Sequence, residues 1–203
     1  MFFRRALVSL LGIGAAYASV IVARTAATVE RDIGFISGNT TKLSNAVKAF
    51  PSTGGTVLQA LAIHTDAVAT NTAVQQTLTD SKATPSVSEA DATTIIALLQ
   101  ALANAIVDAL AATVAKKAAF RALDLQLPGT SKLVGQDLNQ LYEPTALVVT
   151  AAGLTNKPRR YGSTKLLETD LLSKTPNDKK AQANAIIAQI NAAFDKAIAA
   201  YSS

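Results

Sequence analysis

The spacing of residues between positions 29 and 50 constrains this chain more than any other feature. Val29, Ile33, Ile36, Thr40, Leu43, Val47 and Phe50 follow one another at alternating steps of four and three, which sets them on one stripe of an α-helix. Phe50-Pro51 ends the stripe, because proline disfavours helical geometry in the residue before it. Ser52-Thr53-Gly54-Gly55 then reads as a turn.

The same period recurs along the chain. A second helix places Val57, Leu61, His64, Val68, Thr72 and Gln75 on one face and gives way to a loop over Ser81 to Pro85. Ser86-Val87-Ser88-Glu89 has the form of a capping box. It opens the longest helix, with Ile95, Leu99, Leu102, Ile106, Leu110 and Val114 on one stripe and Ile96, Leu98 and Val107 widening it, and this helix fades near Leu123. So wide a stripe predicts a central helix contacted on more than one side. A fourth helix begins near Ser131 with Val134, Leu138 and Leu141, and Pro144 is expected to kink or interrupt it before Leu147, Val148 and Val149. A short helix is expected around Leu166 to Leu172, and a last one from Asn177 or Asp178 with Ile186, Ile187, Ile190, Phe194, Ala197 and Tyr201 inward. No strand-like alternation competes, so the sequence predicts an all-α antiparallel bundle of about five amphipathic helices.

The first eighteen residues have the order of a secretory signal peptide. Arg4 and Arg5 precede an apolar run from Ala6 to Ala16, and Ala16-Tyr17-Ala18 offers small residues for cleavage. The run is shorter than the ~20 residues a membrane span needs. Residues 1–18 are therefore read as a signal peptide and 19–203 as one helical domain, and no transmembrane segment is expected elsewhere. Removing Arg4 and Arg5 from the 19 basic residues leaves 17 against 14 acidic ones. This dispersed excess gives no nucleic-acid footprint.

An exported chain may use disulfides, yet this one has no cysteine and must rely on packing. Ala and Thr are plentiful and Trp is absent, so helices can approach closely while few large groups fill the gaps. A loosely filled interior is one expected consequence, and apolar voids can accept an apolar ligand.

The inventory for catalysis is thin. There is no thiol, no Gly-x-Ser-x-Gly elbow and no phosphate-binding glycine loop, and His64 is the single histidine. No catalytic residue, metal site or cofactor is assigned. His64 is read as a core-edge side chain bonded through one ring nitrogen, and Asp66, Asp80, Asp91 and Asp108 as solvated charges. Asn39-Thr40-Thr41 is an N-glycosylation sequon, with Asn39 flanking the first stripe, and Arg159-Arg160 is a dibasic pair in an expected loop. Thr40, His64 and Thr72 interrupt the inner faces with polar groups. They either bond the carbonyl one turn back or converge on a cavity to orient the head of an amphiphile.

This combination resembles the fungal hydrophobic surface-binding protein A and cell-wall (galacto)mannoprotein family. The likeness rests on the signal peptide, Glu30-Arg31-Asp32-Ile33 opening the first helix, and Gly54-Gly55 before an Ala/Thr-rich second helix. The long Ile95–Val114 helix and the absence of cysteine complete it. It implies a non-enzymatic helical bundle, secreted or held at the cell wall, that binds fatty acids in a central tunnel or adsorbs to hydrophobic solids and recruits hydrolases there. The stretch from Leu154 to Pro176 departs from a compact version of that pattern.

The leading expectation is thus a secreted binder of a fatty acid or other amphiphile. The inner faces nominate Ile33, Ile36, Thr40 and Leu43 from the first helix, Leu61, His64, Val68 and Thr72 from the second, and Leu99, Leu102 and Ile106 from the third. The alternatives are adsorption through amphipathic helices laid on a hydrophobic surface and a purely structural wall protein.

Overall fold

Thr25 starts the first helix by accepting a hydrogen bond from the Thr28 amide, and α1 (Ala26–Ala49) then runs unbroken to Phe50. The computed structural model describes residues 24–142 and 163–202. The signal peptide and the chain start near Ser19 lie outside them, as do the Pro144 interruption, the Leu147–Val149 run and the Arg159-Arg160 pair. Among the described residues the remaining helices are α2 (Val57–Lys82), α3 (Glu89–Ala115), α4 (Lys117–Leu123), α5 (Thr130–Tyr142), α6 (Ser163–Lys174) and α7 (Lys180–Tyr201). A 3-10 turn, Asn177–Lys179, leads into α7.

Helix α3 is central. It packs against α1 on one side and α7 on another, while α2 covers α1 and carries α5 and α6. The expected stripe of α1 is buried almost without exception, with Ile33 fully inaccessible. Burying an aliphatic side chain of that size stabilises the fold by about 1.5–3 kcal/mol. A second apolar cluster closes one end of the bundle, where the Phe50 and Phe120 rings stack at a centroid distance of 4.6 Å.

Four expectations are corrected. Helix α2 is turned by about one residue, roughly 100°, from the expected phase. Its inward residues include Ala60, Ile63, Ala67, Thr70, Val74 and Thr77, whereas Leu61 and Val68 are each 43% exposed and Thr72 is exposed. Small inward side chains such as Ala60 and Ala67 let α2 lie close to its neighbours, and large aliphatics stand on both faces, Ile63 and Val74 inward and Leu58 and Leu61 outward. The same rotation buries Asp66 and Asp80, which are paired with Lys42 at 2.7 Å and Arg24 at 2.8 Å rather than solvated.

The cap of α3 is Ser88, not Ser86. The Asp91 amide donates to Ser88 Oγ at 3.1 Å, and starting there leaves Val87 free to pack on the core. Finally, α3 is itself long and apolar enough to cross a membrane by length and composition. It packs against α1 and α7, and 33% of its apolar stretch is buried.

Candidate functional site

Two of the unfilled spaces among the described residues have mostly apolar walls and share no lining residue. Cavity A encloses about 560 Å³ out to its open mouth, between α1, α2, α3, α4 and α5. Cavity B encloses about 570 Å³ on the same measure, between α1, α2, α3, α6 and α7. Much of that space is open to solvent: the centre of a water-sized sphere reaches only about 50 Å³ in each, so a lipid-sized guest requires the surrounding helices to part. The origin of both cavities is visible in the sequence: Ala60, Ala67 and Ala109 at cavity A and Ala183 at cavity B stand where larger side chains would fill the gap.

Cavity A has apolar walls, among them Leu43, Ile63, Leu110, Phe120, Leu138 and Leu141. The polar exceptions include His64 from α2 and Asp137 from α5. The His64 Nδ1–H donates to both carboxylate oxygens of Asp137, at 2.9 and 3.0 Å. Asp137 is 8% exposed, and the His64 side chain is about one-third exposed at the rim. Burial raises the Asp137 carboxyl above its ordinary range, and the hydrogen bond and charge of His64 oppose that rise. With Nδ1 engaged, Nε2 is the ring position left for a ligand. Thr113 and Thr130, also in the wall, spend their hydroxyl protons on the Ala109 and Leu127 carbonyls.

The residues nominated from the sequence divide as follows. Leu43 and His64 line cavity A; Ile36, Leu99, Leu102 and Ile106 line cavity B. Ile33 is packed in the solid core. Thr40 is buried with a hydroxyl that has no hydrogen-bond partner, and lines neither cavity. Leu61, Val68 and Thr72 face outward, and Thr72 bonds the Val68 carbonyl one turn back at 3.0 Å. His64 has the core-edge position and single-nitrogen bonding expected of it. Asn39 is half-buried on α1, its Nδ2 donating to the Ala69 carbonyl at 3.4 Å, so a glycan there would displace that contact.

The contributions of α5, α6 and α7 were not nominated. Asp137 and Glu168 are the telling omissions, and each had a sequence mark. Asp137 is an acid inside the apolar run Val134, Leu138, Leu141, and Glu168 one inside Leu167, Leu171, Leu172. Among the described residues no group of acidic, histidine or cysteine side chains is placed to hold a metal ion.

The sequence model of one family, hydrophobic surface binding protein A, matches residues 26–146. No curated protein sequence matches the chain. Among solved structures, AFMP4P in complex with palmitic acid is similar at 28% identity and a TM-score of 0.68, over 87% of this chain and 99% of that one. Ligand binding domain 1 of the Penicillium marneffei MP1 protein, complexed with arachidonic acids, shares the fold at 19% identity and a TM-score of 0.67. That match covers 88% of this chain and 99% of that one.

Proposed function

The chain belongs to the hydrophobic surface binding protein A family, and on that premise we propose that it is a secreted, non-enzymatic lipid carrier holding a fatty acid in cavity A. The observation that carries this reading is a largely apolar, open-mouthed cavity whose rim bears a buried carboxylate bonded to one imidazole. The acyl chain lies against Leu43, Ile63, Leu110 and Leu138. The head meets His64, whose Nε2 shares one proton with the ligand's carboxyl group while Asp137 fixes the ring from the other side. The likeness to a palmitic acid complex supports the ligand class. Export, and retention at a cell wall, rest on residues 1–18 and on the family resemblance. The functional unit is then the single bundle formed by 19–203.

Native mass spectrometry of the secreted protein, followed by organic extraction, tests this reading. A fatty acid bound in simple stoichiometry is the expected result. An apoprotein that also takes up no added palmitic acid overturns it.

A second reading has its own observation. Leu58 is 77% exposed, and Leu61 and Val68 lie on the same outer side of α2. This stripe suits adsorption to a hydrophobic solid, where the bound protein could recruit secreted hydrolases. Retention on hydrophobic beads by delipidated and lipid-loaded protein alike is the result expected of it, because the stripe is outside both cavities.

A further inference from the structure

Cavity B carries a polar group for which the fatty-acid reading has no use. Glu168 on α6 is 9% exposed and lines the cavity among Leu99, Leu102, Leu171, Ile186 and Ile190. Its Oε1 is buried without a hydrogen-bond partner. Asn191 on α7, which offers Glu168 a side-chain hydrogen bond, has a buried Oδ1 in the same condition. Both orphan atoms are acceptors.

The other polar side chains in the wall cannot serve them. Thr164 Oγ1 donates to the Leu141 carbonyl at 2.7 Å and Thr175 Oγ1 to the Leu171 carbonyl at 2.8 Å. Lys165, one turn back on α6, is the charge that acts on Glu168. Helices α1, α2 and α3 contribute apolar side chains to this cavity, and α7 contributes Ala183 and isoleucines. Asn191 does not itself line the cavity, so Glu168 is the wall residue with a buried acceptor that no donor in the wall serves. A buried acceptor without a donor is costly, so a ligand that brings a donor gains more here than in water.

A fatty acid anion brings two more acceptors and a like charge. A hydroxyl brings a donor and no charge. We propose that cavity B is a second lipid site that selects amphiphiles with an uncharged, hydroxyl-bearing head, of the long-chain alcohol or monoacylglycerol class, and that Glu168 accepts from that head and turns carboxylates away. The inference rests on the reading of the chain as a lipid binder and assigns the second cavity a different ligand class from the first. Burial pushes the Glu168 carboxyl up to about 7, against the opposing influence of Lys165 and Asn191. Discrimination against carboxylates is accordingly strongest above that pH.

The test titrates hexadecanol, palmitic acid and hexadecylamine separately into delipidated full-length secreted protein at pH 8, with stoichiometry read by native mass spectrometry. Wild type, Glu168→Gln and Ile187→Phe are compared. Gln keeps a carbonyl acceptor in nearly the same shape without the charge. Hexadecanol binding to Glu168→Gln should stay within about threefold of wild type, while palmitic acid gains roughly tenfold or more at the second site. Ile187→Phe fills cavity B and should remove the hexadecanol site while leaving one palmitic acid bound in cavity A. If both lipids bind but Glu168→Gln leaves their ratio unchanged, head-group selection is overturned and lipid binding stands. Hexadecylamine outcompeting hexadecanol also overturns it, since the carboxylate then pairs with a cation. Failure of every ligand to bind any variant defeats this inference and the fatty-acid reading together.

Discussion

His64 Nδ1 stands 2.9 and 3.0 Å from the two carboxylate oxygens of Asp137, a bond that ties α2 to α5 across seventy-three residues of sequence. Asp137 is buried and has been stripped of water, so the imidazole is what makes its position tolerable. Truncating His64 to Ala should cost roughly 1–3 kcal/mol at pH 7, because the carboxylate loses its partner while remaining buried. Replacing both residues by Leu should cost less than the single change, since no orphan charge is left behind. Urea denaturation of the two variants checks this. A double variant less stable than His64→Ala would show that the pair contributes more than mutual compensation.

Glu168 makes stability depend on pH in a direction that can be worked out. Its carboxyl titrates near 7 in the folded chain against 4.5 as the ordinary value, and desolvation is the main cause. A carboxyl raised on folding contributes stability that is fully present below 4.5 and is lost as pH rises through about 7. Wild type should therefore lose stability relative to Glu168→Gln between pH 4 and pH 8, by about 3 kcal/mol at most. Urea midpoints at pH 4, 6 and 8 measure the difference between the two proteins. Parallel trends would mean that the carboxyl is hydrated in solution.

The stripes of α1, α3 and α7 were legible because each alternates large aliphatics with polar residues, so period and burial coincide. Helix α2 was not, for a physical reason. Its inner face mixes Ile63, Val74 and Leu78 with Ala60, Ala67, Thr70 and Thr77, which carry little hydrophobic weight, while Leu58 and Leu61 face water. A close helix–helix approach selects for small side chains, and the amphipathic pattern then points the wrong way. The cavities were legible as a tendency, from many alanines and few aromatics. Their position depends on how α5, α6 and α7 dock, and no helical period encodes that. Asp137 and Glu168 could have been nominated as acids within apolar runs, but their partners, His64 and Asn191, are set by tertiary packing.

Thr40 offers a direct gain in stability. It is 3% exposed, and its hydroxyl has no hydrogen-bond partner. Val has nearly the same shape and no donor to satisfy. Thr40→Val should raise stability by about 1 kcal/mol, as expected when an unpaired buried polar group is replaced by an apolar one. The change leaves the sequon intact, because Thr41 and not Thr40 is its hydroxyl residue, so variant and wild type can be compared in the same host. A lower melting temperature for the variant would mean that the hydroxyl has a partner in solution, such as a bound water.

Gly55 is held by a neighbour and not by an unusual backbone angle. A Cβ at this position would run into the Phe50 ring, approaching Cε1 at 2.9 Å. Phe50 is itself stacked on Phe120, so its ring cannot turn aside without disturbing the cluster that closes the bundle. Gly55→Ala should destabilise the protein by about 1–3 kcal/mol, the usual range for overpacking. At Gly38, where a Cβ meets nothing within 4 Å, the same substitution should not destabilise, and on a helix it should help slightly. Thermal melts of the two variants compare them directly.

The outer stripe of α2 separates two ways in which the protein could adsorb to a hydrophobic solid. If the folded bundle binds through its surface, Leu58, Leu61 and Val68 are the contact, and replacing all three by Glu should reduce retention on hydrophobic beads several-fold. Stability should change little, because exposed positions are usually worth within about 0.5 kcal/mol each. Palmitic acid binding should be unaffected, as none of the three lines a cavity. If instead the bundle opens and lays its core faces on the solid, the triple variant should adsorb as well as wild type. Adsorption would then track the ease of unfolding, and Thr40→Val, by stabilising the closed bundle, should slow it. Measuring bead retention for these two variants side by side therefore distinguishes a surface contact from an opened core.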